Sequence, residues 1–305
     1  MDTNLVDASP RRLGRAGPEV GALAFGCWRF THEDPAEAQR VLEAALDVGM
    51  NLVDTADVYG LDWGGSGFGA NEEALGRVLR ASPGLRDRMV LATKGGIHPP
   101  VPYDSSARAL RTACEASLRR LATDVIDLYQ IHRPDLFTHP AEVADTLVAL
   151  RDEGKVREVG VSNYTVWQYD ALAAALAERG MTIATTQPEY SAAALGPLRD
   201  GTFDRCLRDG VLPLAWSPLA GGRLVLGEGV PAELVAVLDE LAEREGTDRA
   251  AVAVAFVLAH PARPVAILGS QEPTRLRAAT AALSVRLDRS DCYRIVEASD
   301  GEPLP

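Results

Sequence analysis

The chain is short of cysteine, histidine, positive charge and long apolar runs, and each shortage excludes a class of protein. Its four cysteines, Cys27, Cys114, Cys206 and Cys292, lie far apart with no Cys-x-x-Cys or Cys/His spacing. That excludes a zinc module or disulfide frame and predicts reduced thiols. Of the five histidines, His32, His98, His139 and His260 fall in helix or loop contexts. Too few are left for a metal-dependent hydrolase, so no metal is expected. Lys and Arg number 31 against 43 acids, a net charge of −12. That balance excludes a general nucleic-acid or anionic-membrane binder while leaving room for a local phosphate pocket. No apolar run approaches the roughly 20 residues of a membrane helix, and the N-terminal stretch lacks the apolar core of a signal peptide. A soluble, cytoplasmic protein is expected.

What is present is alternation. From residue 35 onward, amphipathic segments such as "PAEAQRVLEAALDVG" alternate with short apolar runs such as "MNLVDT", "MVLATK", "VIDLYQIH" and "VREVGVSN". Counting "LAFG" as the first strand gives eight strands alternating with helices. Short apolar strands separated by helices are parallel and buried on both faces. Eight such units in about 250 residues fit a (β/α)8 TIM barrel better than an open doubly wound sheet. No linker rich in Pro, Gly or Ser interrupts the series, so one domain over 1–305 is expected. The preceding "RRLGRAGPEVGALAF" reads as an N-terminal β-hairpin, with Gly17 and Pro18 at its turn, plugging the bottom of the barrel. The glycine-rich "GLDWGGSGFGAN" lacks the spacing of a dinucleotide fingerprint. It reads as a loop over the barrel mouth.

Barrel enzymes build their sites at the C-terminal ends of the strands. There the sequence places Asp54 and, five residues on, Tyr59; then Lys94, His132, Ser162 with Asn163, Gln187, Trp216 with Ser217, and Gly269 with Ser270. Each has an ordinary alternative: a solvated lysine, a core-edge histidine, an aspartate capping a helix. The convergence of Asp, Tyr, Lys and His on one rim is poorly explained that way. Asp57 has no assigned role and reads as a solvated loop residue.

The segments "VDTADVYG", "ATKGG", "LYQIHRPD", "GKVREVGVSNY", "TTQPEYS", "AWSPLAGGRL" and "ILGSQEPTRLRAA" resemble, in order and spacing, the aldo-keto reductase superfamily over roughly residues 10 to 300. Within it the bacterial YdhF-type oxidoreductases are the nearest in pattern. The resemblance implies NADPH-dependent reduction of an aldehyde or ketone, with NADH as a possible alternative donor. It implies a catalytic tetrad of Asp54, Tyr59, Lys94 and His132. Tyr59 would be the proton donor, its pKa lowered from about 10 by a Lys94 ammonium that Asp54 holds charged. His132 would donate a hydrogen bond to the carbonyl oxygen. Histidine rather than glutamate at this position favours carbonyl over double-bond reduction.

The same resemblance assigns Ser162, Asn163 and Gln187 to the nicotinamide carboxamide and Trp216, in place of the usual Tyr, to stacking on the ring. Ser217, Leu219, Gly221 and Arg223 match the pyrophosphate loop. Gly269, Ser270 and Arg275 match the 2′-phosphate end. Gly269 stands where Lys is common, and Ala278 and Ala279 replace a Glu-Asn pair near the adenine; both relax the expected grip on NADPH. Cys27 stands where Thr is common. Trp28, Trp63, Phe68 and "HPPVPYDSS" are expected to wall the pocket of a small-molecule carbonyl substrate. With no long segment after the last helix, that pocket is expected to be open. A non-catalytic NADP(H)-binding regulatory subunit of the same fold is the alternative, though nothing in the sequence suggests a docking segment.

Overall fold

The computed structural model describes residues 4–14, 17–61 and 64–305. The elements run β1 (Arg11–Arg12), β2 (Glu19–Val20), β3 (Leu23–Gly26), α1 (Pro35–Asp47), β4 (Leu52–Asp54), α2 (Ala70–Ala81) and β5 (Val90–Gly95). Then come β6 (Ile97–His98), β7 (Val101–Tyr103), α3 (Ala107–Leu121), β8 (Ile126–Ile131), α4 (Pro140–Asp152), β9 (Val156–Ser162) and α5 (Val166–Ala177). The chain continues with β10 (Thr185–Gln187), α6 (Thr202–Asp209), β11 (Leu212–Ala215), α7 (Arg223–Leu226), α8 (Ala232–Glu245), α9 (Arg249–Leu258), β12 (Val265–Leu268), α10 (Pro273–Ala278) and α11 (Arg289–Asp300). Strands β3, β4, β5, β8, β9, β10, β11 and β12 pair in parallel and close into an eight-stranded barrel, β12 returning to β3. The (β/α)8 expectation therefore holds.

Local chemistry explains where the helices begin. Asp34 accepts from Ala36 N–H ahead of Pro35, and Ser106, Thr165, Asp248 and Asp288 cap α3, α5, α9 and α11 with their side-chain oxygens. Each such cap contributes about 1 kcal/mol by satisfying a free N–H of the first turn. Helices α2 and α3 approach closely because Gly76 has no side chain. A Cβ there would lie 1.8 Å from the Arg120 carbonyl oxygen.

Inside the barrel, Ala24, Leu52, Val90, Ala92, Leu128, Ala184, Leu212, Leu214, Val265 and Ile267 form one apolar cluster, joined by Leu13 and Val20 of the hairpin. The hairpin therefore closes the barrel at the end where the strands start, and Leu13 N–H bonds Pro18 O at 3.0 Å across its turn. With that end sealed by apolar packing, polar side chains inside the barrel are confined to the opposite end. Two elements go beyond the sequence expectation. "HPPVPYDSS" folds partly as the small β6–β7 hairpin, and the amphipathic helix α11 follows α10. Among the described residues no helix is long and apolar enough to cross a membrane.

Candidate active site

Register carries the candidate residues to one rim. Asp54 ends β4 opposite Ala92 of β5; Lys94 pairs with Gln130 of β8; Gln187 pairs with Ser162 of β9. Alternation then turns Asp54, Lys94, Gln130 and Gln187 inward together.

Lys94 Nζ is fully buried and donates to Asp54 Oδ2 at 2.6 Å, to Thr55 O at 2.9 Å and to Tyr59 Oη at 3.1 Å. All three ammonium protons are thereby used, which fixes the Lys94 head. The other Asp54 oxygen, Oδ1, accepts from Gln187 Nε2 at 3.0 Å and Gln130 Nε2 at 3.2 Å. A carboxylate with three donors is the charged form. Asp54, interacting across 2.6 Å, raises the Lys94 pKa despite burial.

The Tyr59 ring stands edge-on to His132, centroids 5.7 Å apart, and the Lys94 ammonium lies 4.9 Å from the Tyr59 ring centroid. The expectation that Lys94 lowers the net Tyr59 pKa is not met. Burial, joined by the Asp54 charge, raises the phenol above its ordinary 10 and outweighs the ammonium. Tyr59 is accordingly a firmly protonated phenol at neutral pH, the state a proton donor requires. Burial, the Lys94 charge and Arg133 push His132 well below its usual value. It is a neutral imidazole, and its Nδ1 has no hydrogen-bond partner among the described residues.

A second set of bonds reaches toward the residues assigned to the cofactor. Ser162 Oγ donates to Gln187 O at 3.0 Å, Asn163 Nδ2 donates to Ser162 Oγ at 2.7 Å, and Trp216 Nε1 donates to Asn163 Oδ1 at 3.0 Å. Asn163 has φ 58° and Ser217 φ 52°, left-handed conformations that cost energy in non-glycine residues and concentrate at functional sites. Further round, Gly221 at φ 71° and Gly222 at φ 103° have open space where a Cβ would project. Such a turn lets a phosphate approach the backbone N–H groups. Arg223, expected at the pyrophosphate, braces this turn, donating to Ala220 O at 3.1 Å and Gly229 O at 3.0 Å. Gly269 is open, and the Ser270 hydroxyl accepts from Glu272 N–H at 3.3 Å. The Arg275 guanidinium is exposed. An indole, an amide set and a glycine turn in this order fit a nicotinamide dinucleotide.

The described aromatic residues expected to wall the substrate pocket lie at the surface. Trp28 and Phe68 are exposed at 37% and 38%. Trp28 stacks with Arg29, 5.9 Å away, and Phe68 with Arg120, 5.8 Å away, so Phe68 packs onto α3. Trp63 lies outside the described residues. Asp57 corrects the sequence reading outright: it is fully buried rather than solvated. Cys27 is also fully buried, and burial together with the Asp54 charge pushes its thiol up, leaving it an unreactive neighbour of the tetrad. Gln130 was missed, although its place two residues before His132 on an apolar strand marks it as inward-facing. A separate cavity of about 240 Å³ between Asn4, Arg244 and Asp291 holds no candidate residue. Its charged groups already pair with one another. Among the described residues no cluster of His, Cys, Asp or Glu is arranged to hold a metal ion.

A parallel barrel whose open rim carries a buried Lys–Asp pair bonded to a tyrosine is the architecture of a barrel oxidoreductase. The Aldo/keto reductase family model matches residues 22–300, and the chain belongs to that family. It is 48% identical over 298 residues to a 6-dehydroglucose reductase of Novosphingobium aromaticivorans, covering 97% of both chains. It is 36% identical over 301 residues to Oxidoreductase YdhF of Escherichia coli, covering 95% of this chain and 97% of that protein. A crystal structure of the thermostable aldo-keto reductase Tm1743 in complex with the inhibitor epalrestat matches 95% of this chain and 99% of that one. The TM-score is 0.80 at 26% identity.

Proposed function

We propose that the protein is an NADPH-dependent carbonyl reductase with Tyr59 as the proton donor. One observation carries the reading: Lys94 Nζ lies within bonding distance of the Asp54 carboxylate, 2.6 Å, and of the Tyr59 hydroxyl, 3.1 Å. Reduction of a carbonyl puts negative charge on its oxygen, and a general acid must lie within about 3 Å to take it up. Tyr59 stays protonated until that charge develops. As the phenol gives up its proton, the adjacent ammonium stabilises the phenolate inside a low-dielectric site, where charge pairs act most strongly. Asp54 keeps Lys94 charged and aimed, and Gln130 and Gln187 hold Asp54. Neutral His132 offers one N–H to the carbonyl oxygen and orients it.

Trp216, Asn163, Ser162 and Gln187 would hold the nicotinamide end, the turn at Gly221 and Gly222 the pyrophosphate, and Ser270 and Arg275 the 2′-phosphate. When bound, the cofactor supplies the hydride. Arg275 favours NADPH over NADH by matching a phosphate dianion with a guanidinium. Gly269, where Lys is common, leaves NADH as a weaker alternative.

The relative at 48% identity and another at 36%, both named 6-dehydroglucose reductase, support a sugar aldehyde as substrate. Incubation with NADPH and 6-dehydroglucose, beside simple aldehydes, tests this by the loss of reduced-nicotinamide absorbance. Tight NADPH binding without turnover of any carbonyl would favour a non-catalytic cofactor-binding subunit instead.

A further inference from the structure

Asp57 lies between Asp54 and Tyr59, and the proposed chemistry does not use it. Thr55 N–H donates to Ala92 O at 2.9 Å and Asp57 N–H to Lys94 O at 3.0 Å, so the loop prolongs the β4–β5 pairing past the end of β4. Tyr59 N–H then closes a turn onto Ala56 O at 3.2 Å. The Asp57 side chain is completely buried. The charges of Glu72 on α2, Arg120 on α3 and Lys94 on β5 act on it, and it acts in turn on Tyr129 of β8, as does Cys114 of α3.

The main side-chain donors in this cluster serve other acceptors. Arg120 Nε gives its proton to Glu72 Oε2 at 2.7 Å, and Arg120 Nη2 donates to Ser117 Oγ at 3.3 Å. Thr93 Oγ1 donates to Glu72 Oε1 at 2.6 Å. Lys94 serves Asp54, Thr55 and Tyr59. No side chain hydrogen-bonds either Asp57 oxygen among the described residues; the adjacent Val58 backbone N–H favours the charged form, too weakly to offset burial. Two buried carboxyls thus share one guanidinium, whose Nε and Nη2 serve Glu72 and Ser117. A buried carboxylate without side-chain donors is far costlier than a neutral acid in the same place.

We propose that Asp57 is a positioning residue held as a neutral carboxylic acid among α2, α3 and β8, and that its uncharged state fixes the turn presenting Tyr59. Burial, followed by the Glu72 charge, pushes the carboxyl well above its usual range, outweighing Arg120 and Lys94. The folded protein therefore holds a proton that the unfolded chain releases near pH 3.9. Stability from this group is complete below about that pH and is lost as pH rises through the folded value. Charging Asp57 also loosens the Tyr59 turn.

The test uses the full chain. In wild-type protein with carbon-13-labelled aspartate carboxyls, one resonance should stay protonated at pH 7 and disappear in Asp57→Asn. Asp57→Asn should have a higher Tm than wild type at pH 8, a difference that vanishes near pH 4. In kcat/KM, the variant should keep its activity further into the alkaline range. If every aspartate is ionised at pH 7, the proposal is overturned whether or not the variant folds. A lower Tm of Asp57→Asn at pH 8 overturns it equally. The kinetic arm rests on the reductase reading, but the resonance and Tm arms need no turnover, so failure of one is distinguishable from failure of the other.

Discussion

Replacing Lys94 with methionine isolates the interaction on which the candidate site depends. Methionine keeps most of the volume, so the change is mainly one of charge, and it leaves the Asp54 carboxylate, 3% exposed, without its cation. Removing one partner of a buried pair costs about 3–5 kcal/mol. One feature pulls the figure toward the lower end: Gln130 and Gln187 still donate to Asp54 Oδ1. We take about 3 kcal/mol. With an unfolding entropy of about 0.6 kcal/mol/K for a chain of 305 residues, Tm should fall by about 5 °C at pH 7. Adding Asp54→Asn keeps an acceptor for both glutamines and removes the stranded charge, so the double variant should recover most of the loss. Differential scanning calorimetry of the three proteins at pH 7 measures both changes. An unchanged Tm in Lys94→Met, or a further drop on adding Asp54→Asn, would refute the assignment of Asp54 as the buried anion.

Tyr59→Phe should lower kcat by about 10²–10⁴-fold, the usual worth of a general acid, with NADPH affinity preserved by fluorescence titration; full activity removes Tyr59 as the donor. Trp216→Phe retains an aromatic face but loses the indole bond to Asn163 Oδ1. The cost of about 0.5–1.5 kcal/mol should appear as a roughly two- to twelvefold weaker affinity for the cofactor, and equal affinity would show that the bond orients nothing. Acid should destabilise the protein through two histidines. Burial lowers the His132 pKa well below 6.5 and brings His260 to about 4. The unfolded chain takes up protons from about pH 6.5 downward while the folded chain does not. Stability should therefore be full above that pH and decline toward pH 4. Proton NMR showing either imidazole titrating at its ordinary value would contradict this.

The alternation of "LVDT", "VLATK", "LYQIH" and "VGVSN" with amphipathic helices made the barrel legible, because parallel strands buried on both faces must be continuously apolar. Asp54, Lys94 and His132 were legible for the same reason: a polar residue ending an apolar strand has nowhere to go except the rim. Gln130 was less so: strand alternation sets it on the inward face two residues before His132, but a single amide inside an apolar run does not show which carboxylate it will meet. Nor was helix α11 counted, whose pattern lies outside the strand–helix alternation.

The sequence by itself determined the period, the strand ends and the identity of the groups on the rim, because backbone alternation and burial act locally. Only the tertiary structure decided which of those groups meet. Register brings Lys94 from β5 to Asp54 from β4, and closure of the barrel brings Gln187 from four strands away onto the same carboxylate. It also decided the protonation of the site. A residue's charge depends on the donors around it, and those donors come from distant segments. Asp54 and Asp57 stand three residues apart, and the first accepts from an ammonium and two amides while the second feels a second carboxylate and has no side-chain hydrogen-bond donor among the described residues.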